Sequence, residues 1–160
     1  MLKFIIKSMK IKPWIQAARL RTLPLAITCV LLGGAVARAH GLDVAGLARF
    51  TPVVVGALVT VVLLQILANF ANDYGDFTKG TDTAAGRMDR ALASGQLSVS
   101  AMKKGVTLTA IGALIAGVVT LILAFVPGAV PGTDGVTLDG ARMGLLGAFG
   151  VAGIVAAMRY

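Results

Sequence analysis

Gln65, Asn69, Asn72 and Asp76 are spaced by four, three and four residues, a pattern that keeps all four on one face of a helix. Asp73 stands beside this stripe. The chain has seven acidic residues, all aspartates, and three of them (Asp73, Asp76 and Asp82) fall within ten consecutive positions. Carboxylates and amides are hard oxygen donors. Few in number, with a substrate phosphate to complete the shell, they describe a magnesium site. Lys79, Arg87 and Arg90 follow within fourteen residues of Asp76. Such bases would cancel the acids unless something multiply anionic came between them. A metal-bound diphosphate fits: Asp holds Mg²⁺, Mg²⁺ holds the phosphates, and Lys and Arg take the remaining oxygens. The spacing points to metal and names no reaction. Asp89, Lys103 and Lys104, by contrast, read as a solvated surface.

The elements that must position these groups are apolar. Only 14% of the 160 residues are charged and mean hydropathy is +0.86, whereas a soluble domain carries about a quarter of its residues as charges. Uncharged runs cover 22–37, 50–72, 105–133 and 143–158. A membrane span needs roughly 20 apolar residues. The second and third runs suffice, and the first and fourth span if Arg38, Arg142 or Arg159 snorkels. The chain is expected to be all-α, one integral membrane domain over 1–160, with spans at about 22–40, 51–72, 106–127 and 142–158. The polar stripe begins inside the second span. It should therefore face a bundle interior or a wet cavity, because polar groups facing lipid are costly. Gly80 is expected to break that helix, so that Asp82 folds back from a loop running from about Tyr74 to Lys104. Thr22 and Pro24 read as the N-cap and first turn of helix one.

Six basic residues precede the first span (Lys3, Lys7, Lys10, Lys12, Arg19, Arg21), and five lie between the second and third. These eleven share one side, against Arg38, Arg49 and Arg142 on the other. The positive-inside rule puts the N-terminus and the aspartate-rich loop in the cytoplasm, in a multi-pass inner-membrane protein. This asymmetry explains the +8 net charge without a nucleic-acid partner. Small residues before Arg38 resemble a signal-peptide cleavage site, but the long basic region and three further spans argue against one. Cys29, alone in its span, reads as a small buried hydrophobe. Gly144, Gly147, Gly150 and Gly153 read as a flat ridge for close helix packing.

"NDYGD" with a further Asp, just after the second helix, resembles the first aspartate-rich motif of the UbiA superfamily of membrane prenyltransferases, NDxxDxxxD. Here it runs Asn72, Asp73, Asp76 and then Asp82, after five residues instead of three. That spacing, with "WIQAARLRTLPLAIT" at 14–28 and "LLQILANFANDYGD" at 63–76, is similar to the branch that prenylates 1,4-dihydroxy-2-naphthoate in menaquinone synthesis. Arg90-Ala91-Leu92-Ala93-Ser94-Gly95 is closer to the superfamily's general Arg-Pro-Leu-x-Ser-Gly than to that branch. The resemblance implies Mg²⁺ on Asn72, Asp73, Asp76 and Asp82, with Asp73 and Asp76 central to catalysis. It implies a polyprenyl diphosphate donor ionised by charge neutralisation of its leaving group, and an aromatic acceptor that attacks the resulting cation. Lys79, Arg87, Arg90 and Asn69 are then expected at the substrate, with Arg19 or Arg21 on the acceptor's carboxylate.

Members of that superfamily are about twice this length and carry a second aspartate motif, whereas no acid follows Asp139 here. The chain is therefore expected to be the N-terminal half of a UbiA-type bundle. By itself it is expected to be inactive and poorly stable, with the stripe exposed to lipid. Other readings are a UbiA-type enzyme for another acceptor such as 4-hydroxybenzoate, a non-catalytic assembly subunit, or a transporter or channel fragment. A channel asks for polar residues at mid-depth on several helices, and the third and fourth spans offer little beyond threonines. A CDP-alcohol phosphotransferase asks for a D-G-x-x-A-R arrangement, which does not occur.

Overall fold

In the computed structural model, residues 11–84, 86, 90–133 and 139–159 are described. Lys3, Lys7, Lys10, Arg87 and Asp89 lie outside them. Every regular element among the described residues is helical: α1 (Ile11–Ala18), a 3-10 turn (Leu20–Thr22), α2 (Leu23–Ala39), α3 (Val44–Thr78), the short α4 (Thr81–Ala84), α5 (Val99–Phe125) and α6 (Gly140–Met158). Among the described residues, four helical stretches are long and apolar enough to cross a membrane: Ile11–Ala39, Gly46–Thr78, Val99–Phe125 and Gly140–Met158. The first joins α1 and α2 through the turn.

The organising helix is α3, 35 residues and so about 52 Å long at 1.5 Å per residue. It packs along α5 and also touches α1, α2, α4 and α6. Asp43 caps its start by accepting from Gly46 N at 2.7 Å. It continues four residues past Tyr74, so Asp76 is helical, and it ends before Gly80, which takes φ +75°. Where α3 crosses α5, Gly56 lets the backbones close in. A Cβ there would stand 2.5 Å from Thr120 Oγ1, and Thr60 and Thr120 hydroxyls meet at 3.4 Å beside it. Small and hydroxyl residues do this work in lipid because apolar burial offers no drive between helices.

At the far end, Arg49 on α3 donates to the carbonyls of Ala124 (2.6 Å) and Val126 (3.0 Å), closing the C-terminus of α5. Those carbonyls have no intrahelical partner, and a guanidinium suits both their lone pairs and the helix dipole.

The packed core sits at the aspartate end. Ala17 and Ala18 of α1, Phe70 of α3, Ala91 and Leu92 of the following turn, and Met102 of α5 bury one another. Trp14 stands edge-on to Phe70 at 5.4 Å between ring centres. Elsewhere the helices present Leu, Ile and Val outwards, as a lipid-facing surface does.

Two expectations are corrected. The glycines of α6 do not form one packing ridge: a Cβ added at Gly147 would meet Leu121 at 3.6 Å, while one at Gly144, Gly150 or Gly153 would meet nothing within 4 Å. Steps of three residues drift around a helix of 3.6 residues per turn, so the four cannot share a face. The polar stripe is only partly laid open: Asn69 and the adjacent Asp73 are buried under α1 and the 90–97 turn, while Gln65, Asn72 and Asp76 stay half-exposed.

Candidate anion and metal site at the aspartate end of α3

The site begins with a break in the first span. Arg19, at the end of α1, takes φ 48°, ψ 58° and is the one non-glycine residue at positive φ among those described. That left-handed geometry costs roughly 1–2 kcal/mol in an L-residue. It turns the chain from α1 into the 3-10 turn and aims the Arg19 side chain across at α3. Asn69 holds the break: its Nδ2 donates to the Ala18 carbonyl at 2.7 Å and to Thr22 Oγ1 at 3.1 Å. Thr22 sits at the N-cap of α2 but makes no side-chain cap bond. Its hydroxyl donates back to the Arg19 carbonyl at 2.9 Å.

Arg90 comes from the other side. It opens a turn closed by Ser94 N to Arg90 O (2.9 Å), Gly95 N to Leu92 O (2.9 Å) and Leu97 N to Ala91 O (3.0 Å). Ala91 and Leu92 are buried in the core and anchor that turn, leaving the Arg90 side chain to project at α3.

The two arginines meet over the stripe. Asn72 Oδ1 accepts from Arg19 Nη2 at 3.1 Å and from Arg90 Nη1 at 3.0 Å. The Arg90 guanidinium then reaches all three clustered aspartates: Nη1 is 3.6 Å from Asp73 Oδ1, Nη2 is 3.4 Å from Asp76 Oδ2, and Nε is 3.9 Å from Asp82 Oδ1. Asp73 is 1% exposed. Its favourable polar neighbours are the charge of Arg19, the Leu92 amide and the Arg90 guanidinium, while Asp82 and Asp76 repel it. A buried carboxylate needs a cation close by, since removing it from water costs several kcal/mol.

The donors present are hard oxygens, the right chemistry for Mg²⁺. Their spacing is not that of a metal shell. Among the described residues, no three carboxylate, imidazole or thiol groups converge closely enough to hold an ion. Arg90 stands between them.

A cleft of about 670 Å³ opens beside Asp73, walled by Gln16, Arg19 and Arg21 on one side and Arg90 on the other. Arg21 thus joins the site. Lys79 faces a separate cleft of about 380 Å³, shared with Lys103 and Arg159. Asn69 has its amide nitrogen committed to the α1–α2 break rather than to the cleft. Sequence reasoning missed the Ala18 carbonyl and Thr22 as anchors. The one clue to them was a buried-type amide on α3 that had to bond something.

No family model and no solved structure matches the chain. Among curated proteins, it is 39% identical over 113 residues to a 1,4-dihydroxy-2-naphthoate octaprenyltransferase of Haemophilus influenzae, over 68% of this chain and 34% of that protein. It is 35% identical over 114 residues to the protein of the same name in Escherichia coli (strain K12), over 69% of this chain and 34% of that one. The chain therefore spans about a third of the length of the curated relatives it matches.

Proposed function

We propose, from the premise that the chain is a relative of the UbiA-type 1,4-dihydroxy-2-naphthoate octaprenyltransferases, that it forms the donor-diphosphate part of a membrane prenyltransferase. The observation that carries this is the cleft beside Asp73, where Arg19, Arg21 and Arg90 line one cavity at the end of an apolar helix bundle. A polyprenyl diphosphate has that same division. Its tail belongs in hydrocarbon, and its head needs several cations at the interface.

In this reading the three arginines grip the diphosphate through fork-shaped, charge-assisted hydrogen bonds. They neutralise the charge that grows on it as the allylic C–O bond breaks. The aromatic ring of 1,4-dihydroxy-2-naphthoate attacks the allylic cation and loses a proton to restore aromaticity. Asn72, Asp73, Asp76 and Asp82 would hold Mg²⁺, whose chemistry is to supply further countercharge to the departing diphosphate. Asn69 and Thr22 keep the α1–α2 break in the shape that presents Arg19. The positive-inside rule supports a cytoplasmic N-terminus and aspartate end in the inner membrane, in a pathway to menaquinone.

The test is prenyl transfer in membranes carrying this chain alone, or together with the remaining two thirds of the Haemophilus influenzae relative, with Mg²⁺ and with EDTA. Product from the combined form, dependent on Mg²⁺ and on 1,4-dihydroxy-2-naphthoate, is expected, and none from the chain alone. Product with 4-hydroxybenzoate instead would move the acceptor assignment. No product with either acceptor sinks the transferase reading.

A further inference from the structure

We propose that the cleft of about 380 Å³ between the ends of α3, α5 and α6 holds the head group of an anionic phospholipid. Its phosphodiester lies between Lys103 and Arg159, and its glycerol and upper acyl chains run along the apolar wall beyond them. This cleft shares no lining residue with the one beside Asp73, so the two are separate sites.

The cations come from three elements. Lys79 follows the last residue of α3, Lys103 stands in the opening turns of α5, and Arg159 follows the last residue of α6. Chain direction alternates from span to span, so these three ends fall at one membrane face, the face of the aspartates. Among the described residues lining the cleft there is no acid. Lys79 has a further interaction within the chain, so the free charge is counted on Lys103 and Arg159. Both are exposed, and among the described residues neither is paired with an acid. Helix dipoles account for a cation at the C-terminus of α3 or α6. They do not account for Lys103, which stands toward the positive end of α5. An anion in the cleft serves both Lys103 and Arg159.

The rest of the lining says which anion. Ala71, Val106 and Met158 carry the cleft inward from its charged rim. Ala71 precedes Lys79 by eight residues and so lies about 12 Å deeper along α3. A free phosphate uses the rim and leaves that wall bare. A phospholipid uses both, and basic pockets between membrane helices on the cytoplasmic side, where the positive-inside rule puts this face, suit such head groups. The bound lipid also has a mechanical effect. None of the residues of α6 is buried, and a phosphate bridging Arg159 to Lys103 ties that helix to α5.

The experiment is native mass spectrometry of the purified 160-residue chain from an uncharged detergent, titrated with phosphatidylglycerol or with phosphatidylcholine, which reads the affinity for the first lipid bound. Wild type is expected to prefer phosphatidylglycerol about tenfold. Lys103→Gln and Arg159→Gln should each lower that preference about fivefold, the usual effect of one basic residue at a membrane surface. Both side chains are exposed, so the two variants keep the fold. Lys104→Gln removes the same charge from the neighbouring position, outside the lining, and should leave the preference within about twofold. Equal loss in all three variants overturns the proposal, because it reports only a diffuse surface field. Equal affinity of wild type for the two lipids overturns it outright. Millimolar inorganic phosphate, at ionic strength matched with chloride, should not displace the phosphatidylglycerol. Displacement would assign the cleft to a soluble anion and overturn the lipid.

Discussion

Replacing Asn69 by leucine, a side chain of similar size, should unfasten the site without touching the cleft. Asn69 Nδ2 makes two hydrogen bonds, to the Ala18 carbonyl at 2.7 Å and to Thr22 Oγ1 at 3.1 Å. Side-chain hydrogen bonds between membrane helices average about 0.6 kcal/mol each. The Ala18 carbonyl is buried at the end of α1, and leaving it without a donor adds about 1–3 kcal/mol. The sum is a loss of about 2–4 kcal/mol. Thr22→Val removes the longer bond and the hydroxyl's own bond to the Arg19 carbonyl, which keeps the Thr22 amide as donor, so it should cost about 1 kcal/mol. Reversible unfolding by dodecyl sulfate in mixed micelles, followed by far-ultraviolet circular dichroism, measures both. Asn69→Leu should shift the transition several times further than Thr22→Val. A variant within about 0.5 kcal/mol of wild type, less than one average interhelical hydrogen bond, that nevertheless loses pyrophosphate affinity would refute the clamp. It would return Asn69 to the role of substrate ligand that its place on the stripe first implied.

Three other outcomes follow from the geometry. Arg19→Gly keeps the left-handed turn at φ 48° but removes the bond to Asn72, so pyrophosphate affinity, measured by calorimetry, should fall about tenfold with little loss of stability. Gly56→Leu forces a side chain against Thr120, whose Oγ1 lies 2.5 Å from the Cβ position. It should cost about 1–3 kcal/mol in the same dodecyl sulfate titration, while Gly33→Leu, with open space around it, should not. Arg49→Met takes the guanidinium from the carbonyls of Ala124 and Val126, of which Val126 keeps the Ala129 amide as donor, and should destabilise the α5 end by about 2 kcal/mol. Hydrogen exchange at residues 122–126 should report that as faster opening, and unchanged exchange would remove Arg49 from the fold's supports.

Much of this protein is written locally. Whether a segment crosses a bilayer depends on the summed transfer free energy of about twenty neighbouring residues, so the four spans are legible in the order of residues alone. That Gln65, Asn69, Asn72 and Asp76 share a face follows from the helical repeat, and needs nothing from the rest of the chain. The spacing of Asp73, Asp76 and Asp82 likewise marks one end of α3 as anionic before any fold is known.

What stands opposite those groups is not local. Asn72 takes its donors from Arg90 and from Arg19, which lies 53 residues away in sequence. Asn69 and Asp76 sit on the same stripe, yet one is spent on a backbone carbonyl and the other faces a guanidinium. Lys79, three residues beyond Asp76, points into a different cleft, because one helical turn and the end of α3 carry it round to α5 and α6. The start of α1 as a packed helix, the break at Arg19 and the seating of Ala91 and Leu92 all depend on which surfaces meet. A helix face is set by its own backbone. The partner of each buried charge is set by competition among every group the packing brings within reach, and only the tertiary structure decides that.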